Sequence, residues 1–379
     1  MRIRCCRHRA RSIVTTAWLA LAAHAAIAAQ IVVGQVAPMS GPEARQGRAY
    51  GAGMQMYFDA INKEGGVNGH TFTLARKDDL GQPAETVALT RKLLADDKPL
   101  VLAGYFGSRN ISDLVASGIL ESERIALVGY RSAEIRDETP LLYNVRAGLR
   151  DELARLTSHL STVGIRKLGL FYEDGPNAQA LVAAADAAAR KVDASFIKRA
   201  SYPPNTAKVS GATEQFLEAK PQAIILVTSG AAAGAFIESY RSAGGTAQIL
   251  AHSGTELEQL SQRLGEEQMA GVVIAQVTPS PYKISGRLSK EFSDSAKAQK
   301  VGSPVSYAMM EGYIAARVIV EAVRRQGGAR PTREGMVTAL NSMDAFDMGG
   351  YAVAFKPTQR TGSRYVELSI VSSVGKIRQ

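Results

Sequence analysis

Residues 37–69, APMSGPEARQGRAYGAGMQMYFDAINKEGGVNG, leave the chain few ways to fold. The apolar run 31–37 leads into them and predicts a strand buried on both faces, as in a parallel sheet. Ser40-Gly41-Pro42 ends the strand, because proline cannot donate to a ladder and glycine takes backbone angles that other residues avoid. Gly47, Tyr50, Gly51, Met54, Phe58 and Ile61 then recur at the spacing of one helix face. Gly65-Gly66 stops that helix, and Asn68-Gly69 turns the chain into a second strand over 71–77. Such a Ser/Gly loop leaves free backbone N–H groups and the positive end of a helix facing one spot, which suits a carboxylate or a phosphate. Taken alone, such a loop is more often an ordinary strand-to-helix connection. There is no Gly-x-Gly-x-x-Gly and no Gly-Lys-Ser/Thr, which excludes a dinucleotide fingerprint and a P-loop.

The same alternation continues. Helical patterns over 83–97 and 111–120 separate strand patterns at 100–103, 125–128 and 141–145. A second unit follows, with helices at 151–163, 178–191, 209–220, 231–243 and 255–264. Its strands fall at 167–172, 196–199, 223–228, 248–251 and 271–277. Beyond Pro279-Ser280-Pro281 come helices at 285–299, 304–326 and 332–341, the middle one apolar almost all round and so expected to be buried. Strands alternating with helices predict parallel sheets with right-handed crossovers, and ligands sit off the carboxyl ends of such strands. Loops 38–47, 104–110 and 129–134 therefore share one rim, and loops 173–177, 228–231 and 252–255 another.

Residues 1–12 are basic without an acid, residues 13–28 are apolar, and Ala26-Ile27-Ala28 offers small residues for cleavage. This predicts a signal peptide over residues 1–28 and an exported, periplasmic protein. Its five arginines leave with it, taking the formal charge from +10 to +5. Cys5, Cys6 and Trp18 go too. The mature chain is then thiol-free and mildly basic, with no disulfide or thiolate metal site, no cofactor expected, and little to attract nucleic acid. No later segment is long and apolar enough to insert in a membrane.

The string PMSG at 38–41, the Gly47/Gly51 pair, DAINKEGGVNG at 59–69 and KDDLGQP at 77–83 resemble the start of the leucine/isoleucine/valine-binding-protein family, solute receptors of bacterial ABC importers. The resemblance runs along almost the whole mature chain. It implies an α/β, type I periplasmic-binding-protein fold, two Rossmann-like lobes with parallel sheets joined by a three-stranded hinge. Lobe 1 would be 29–147 plus 278–349, and lobe 2 would be 148–277 plus 350–379. It also implies a small carboxylate ligand held between the lobes and ABC permease subunits as partners.

By the same resemblance, Ser108 in GYFGS and Ser132 in GYRSAE would hold the ligand carboxylate, which needs several converging donors once desolvated. Gln46 would line the site. Asn177, Ser229, Gly230 and Ser253 would face it from the second lobe. Tyr105 and Tyr130 could wall it, and Arg109 and Arg131 could add cations for a second anion. Family members that bind amino acids place an acid where Ser253 stands here, with Glu256 three residues on. The sequence thus favours an organic acid over leucine. Of the rivals, an enzyme lacks a Gly-x-Ser-x-Gly elbow or paired histidines, although His252 beside Ser253 invites comparison. A sensory receptor of the same fold stays open.

Overall fold

The computed structural model describes residues 29–371, apart from 137, 205, 300–303 and 328–329, together with the backbone of 377–378. The predicted leader lies outside the described residues. The first sheet is built from β1 (Gln30–Ala37), β2 (Thr71–Asp78), β3 (Val101–Phe106), β4 (Leu127–Arg131) and β5 (Leu142–Tyr143). They run parallel in the order β2-β1-β3-β4-β5. The second sheet contains β6 (Lys167–Glu173), β7 (Ser195–Tyr202), β8 (Ala223–Val227), β9 (Gln248–Ala251) and β10 (Val273–Gln276), which are parallel. A short antiparallel pair, β11 (Phe346–Asp347) and β12 (Ala352–Val353), precedes β13 (Glu367–Val371) and β14 (Ile377–Arg378). These last two extend the second sheet as an antiparallel edge, giving β14-β13-β10-β9-β8-β6-β7.

Both faces of each sheet are covered, which is why β3 and β8 read as apolar runs and β1 is interrupted only by buried Gln35. On one face of the first sheet, Ile31, Val33 and Val101 pack with Met54 and Phe58 of helix Ala44–Lys63 and with Met309, Ile314 and Val318 of helix Tyr307–Arg325. Leu93, Ile111 and Leu114 cover the other. In the second sheet Phe171, Phe216 and Phe236 form one core, and Leu153, Leu156 and Ala185 the other. Each such side chain contributes about 1.5–3 kcal/mol by leaving water.

Helices Ala44–Lys63 and Tyr307–Arg325 cross backbone to backbone. A Cβ on Gly53 would overlap the Met309 carbonyl, and one on Gly312 the Tyr50 carbonyl. Segments passing between the sheets are laced together. Tyr351 Oη donates to the carbonyls of Val145 (2.8 Å) and Val277 (3.1 Å), and Asn144 pairs with Thr361.

Two predicted helices are interrupted. The pattern at 111–120 becomes helices Ser108–Ala116 and Ile119–Ser122, split at Gly118 with φ +67°. The pattern at 255–264 becomes a 3-10 turn, Ser253–Thr255, and helix Leu257–Arg263, because Glu256 between them takes φ +55°. Periodicity cannot foresee a left-handed glutamate. Strand order reverses between β1 and β3 in one sheet and between β6 and β8 in the other, where crevices open at the carboxyl ends of α/β sheets.

Candidate functional site

At the first reversal, β3 hands over through Gly107 to helix Ser108–Ala116, whose first residue is Ser108. Its Oγ accepts the Ala133 N–H at 3.0 Å and lies 3.5 Å from the Ser132 hydroxyl, which accepts the Glu134 N–H. Two hydroxyls thus converge at the positive end of a helix. Next to them, Glu134 reaches Asn177 of the second sheet's loops and pairs with Arg136.

Beside this pair the two sheets meet in a buried charge network. Arg131, at the end of β4, donates to Gln46 Oε1 and to the Ser253 carbonyl (3.2 Å), and its Nε lies 3.3 Å from Glu311 Oε2. Arg146 sits 3.5 Å from the same oxygen and pairs with Glu152 at 2.6 Å. It also reaches Ser253 Oγ, while Glu152 accepts the Ser253 N–H at 2.6 Å. Burial alone would lower the Arg146 pKa; Glu311 and Glu152 outweigh it and hold the guanidinium above its ordinary value. Gln46 completes the contact, donating to Glu43 at 2.7 Å and to the Gly254 carbonyl at 3.4 Å.

In the second sheet's loops, Ser229 caps helix Gly230–Ser242 by accepting the Ala232 N–H, and its own N–H goes to Tyr202 Oη. Gly230 lies under Gln259, where a Cβ would collide with the amide. Glu256 is 1% exposed, and neither carboxyl oxygen has a hydrogen-bond partner. Burial pushes its pKa up to about 7 despite the pull of Arg131.

Gln46, Arg131, Asn177 and Ser253 thus meet at the seam, with Ser108 and Ser132 alongside and Ser229 and Gly230 at the second rim. The remaining three candidates point elsewhere. Tyr105 is buried in the core, 3.0 Å from Thr90 Oγ1, because β3 is covered on both faces. Tyr130 packs half-buried against that same core. Arg109 is exposed and paired with Asp113 one turn on. A second-anion role for Arg131 meets the same difficulty, since its charge is already taken by Glu311.

Glu43, Arg146, Glu152 and Glu311 escaped the sequence reading. Glu311 carried a signal: a lone acid on a helix otherwise apolar there must find partners once buried. Among the described residues no helix is long and apolar enough to cross a membrane, and no group of three or more His, Cys, Asp or Glu could hold a metal ion.

Residues 30–373 match the family described as periplasmic binding protein. Leu/Ile/Val-binding protein homolog 8 of Brucella suis biovar 1 (strain 1330) is 22% identical over 357 residues, covering 89% of this chain and 87% of that one. A substrate-binding periplasmic protein from Ralstonia solanacearum superposes with a TM-score of 0.85 at 33% identity, covering 92% of this chain and 99% of that one. A branched-chain amino acid ABC transporter protein from Thermus thermophilus with bound valine superposes with a TM-score of 0.78 at 18% identity, over 92% and 94% of the two chains. At that identity the likeness carries the fold alone.

Proposed function

This chain belongs to the periplasmic binding protein family and has its type I, two-lobed α/β fold, and from that premise we propose that it captures a small carboxylate-bearing solute between the lobes for an ABC importer. The observation that carries the reading is the pair of hydroxyls, Ser108 and Ser132, at a helix N-terminus beside the meeting of the two sheets. Ligand bridging both sides favours the closed state through its differential affinity. The solute would then pass to permease subunits in the inner membrane, the protein itself being exported to the periplasm. We place the lobes at 29–147 plus 278–349 and at 148–277 plus 350–379 as the resemblance implies, except that the last boundary falls after Phe355, because Tyr351, Val353 and Phe355 pack in the first sheet's core.

A non-catalytic role fits the surroundings of His252. Its Nδ1 accepts the Gly254 N–H at 3.3 Å, and its Nε2 faces the Thr228 carbonyl at 3.0 Å. Ser253 Oγ is engaged by Glu152 and Arg146 instead. Imidazole and hydroxyl are each taken by other partners, so they do not form a base and nucleophile.

Buried Glu256 bears on the solute's class. An unpartnered carboxyl in the seam offers a ligand ammonium the acceptor that Ser253 does not. This brings an amino acid level with the organic acid that the sequence favours, and calorimetric titration with both sets separates them. Ser108→Ala is expected to weaken binding of a carboxylate solute about 10- to 100-fold, the effect of one hydrogen bond to a charged group. Unchanged affinity in that titration removes Ser108 from the site.

A further inference from the structure

The seam carries more acid than its ion pairs engage. Glu43, in the loop after β1, accepts from Gln46, which also donates to the Gly254 carbonyl across the seam, and the Ala231 backbone favours its charged form. Glu173, at the end of β6, acts on it from the second sheet's side, and Arg131, at the end of β4, from the first. Glu256 feels Arg131, Glu258, Arg45 and Glu43. Glu173 accepts from Tyr202 at 3.0 Å, and Glu258 from Tyr282 and the Tyr307 N–H. Glu256 has no such partner, and its backbone is held at φ +55°, where L side chains are strained. A buried, unpartnered, strained carboxyl at the contact between two moving bodies has few ways to be stable.

We propose that the seam is a proton-operated latch: closing the lobes drives Glu43 of the first against Glu173 and Glu256 of the second, so closure takes up protons and the ligand-free protein opens as pH rises. The latch needs no solute, so it can fail while the solute assignment holds, and the reverse.

Burial is the largest cause acting on both groups. It carries Glu43 and Glu256 each up to about 7, with Arg131 pulling down and the neighbouring glutamates pushing further up. The latch requires that opening return both to water, where a glutamate has its ordinary value near 4.5. A carboxyl whose pKa is higher in the closed state supports closure fully at low pH. That support is lost as pH climbs from the open-state value to the closed-state one, here from about 4.5 to about 7. Within that window each group weakens closure by up to about tenfold per pH unit, and the pair by up to about a hundredfold. Above it the effect levels off. Burial lowers the pKa of His252, which favours its neutral form.

Small-angle X-ray scattering on the mature protein, stripped of solute by unfolding and refolding, reads the latch directly. Its radius of gyration is expected to grow between pH 5 and pH 8, while the Glu43→Gln/Glu256→Gln variant stays compact throughout. A wild-type radius independent of pH overturns the latch, and so does a pH-dependent radius in the double variant. Should that variant fail to refold, the wild type labelled with δ-13C glutamate suffices. Two carboxyl carbons titrating near neutrality are expected, and their absence overturns the proposal.

Discussion

Glu311→Leu is expected to cost about 3–5 kcal/mol of stability, the loss seen when one side of a buried ion pair is removed. Its Oε2 lies 3.3 Å from Arg131 and 3.5 Å from Arg146, and all three side chains are buried. Without it, Arg146 keeps only Glu152 and buried Arg131 loses its ion-pair partner. The cost comes from stranding charge, not from losing favourable energy. Replacing the whole set (Arg131→Met, Arg146→Leu, Glu152→Gln and Glu311→Leu together) is therefore expected to restore most of the stability, because no buried charge is then left without its partner. That quadruple variant also loses both arginine contacts to Ser253, so it should melt near the wild type yet close poorly. Scanning calorimetry gives the first result and scattering with added solute the second. A Glu311→Leu protein that melts with the wild type contradicts the network's role.

The second large effect belongs to the crossing of helices Ala44–Lys63 and Tyr307–Arg325. Gly53→Val is expected to cost about 3 kcal/mol or more, at or beyond the upper end of overpacking. The atom it would strike is a backbone carbonyl, which cannot swing aside like a side-chain tip. These helices also carry Gln46 and Glu311, two of Arg131's partners, so forcing them apart should weaken solute binding as well. Gly312→Val should behave the same way. Gly211→Ala is the control: open space surrounds it in helix Ser210–Ala219, and a change from neutral to about 1 kcal/mol of stabilisation is expected. Thermal melts of the three variants check the ordering, and a Gly53→Val protein as stable as the control would refute the close crossing.

Much of this architecture was legible before any coordinates. The strand, Ser-Gly-Pro break and helix of residues 31–63 appear as read, because proline, glycine and helical spacing act locally. Alternating strand and helix patterns placed the loops bearing Gln46, Ser108, Arg131 and Ser253 on facing rims. Side-chain direction was less accessible. In β3 every residue from Val101 to Tyr105 is buried, so the pattern has no period from which to learn that Tyr105 points into the core. The charge network was out of reach for a different reason. Arg146, Glu152 and Glu311 are separated by up to 165 positions (146 to 311), and which carboxylate meets which guanidinium is decided by how the sheets dock. For Arg109 the local partner was legible, since Asp113 stands four residues on, at salt-bridge spacing.

Capture of a carboxylate between the lobes is tested most directly by crystallography with the solute that most raises the melting temperature in a library of amino and organic acids. The expected density is a single solute in the seam, its carboxylate on the hydroxyls of Ser108 and Ser132, with residues of the second sheet's loops closing over it. A solute seated elsewhere, or a library in which no acid shifts the melt, would contradict that account.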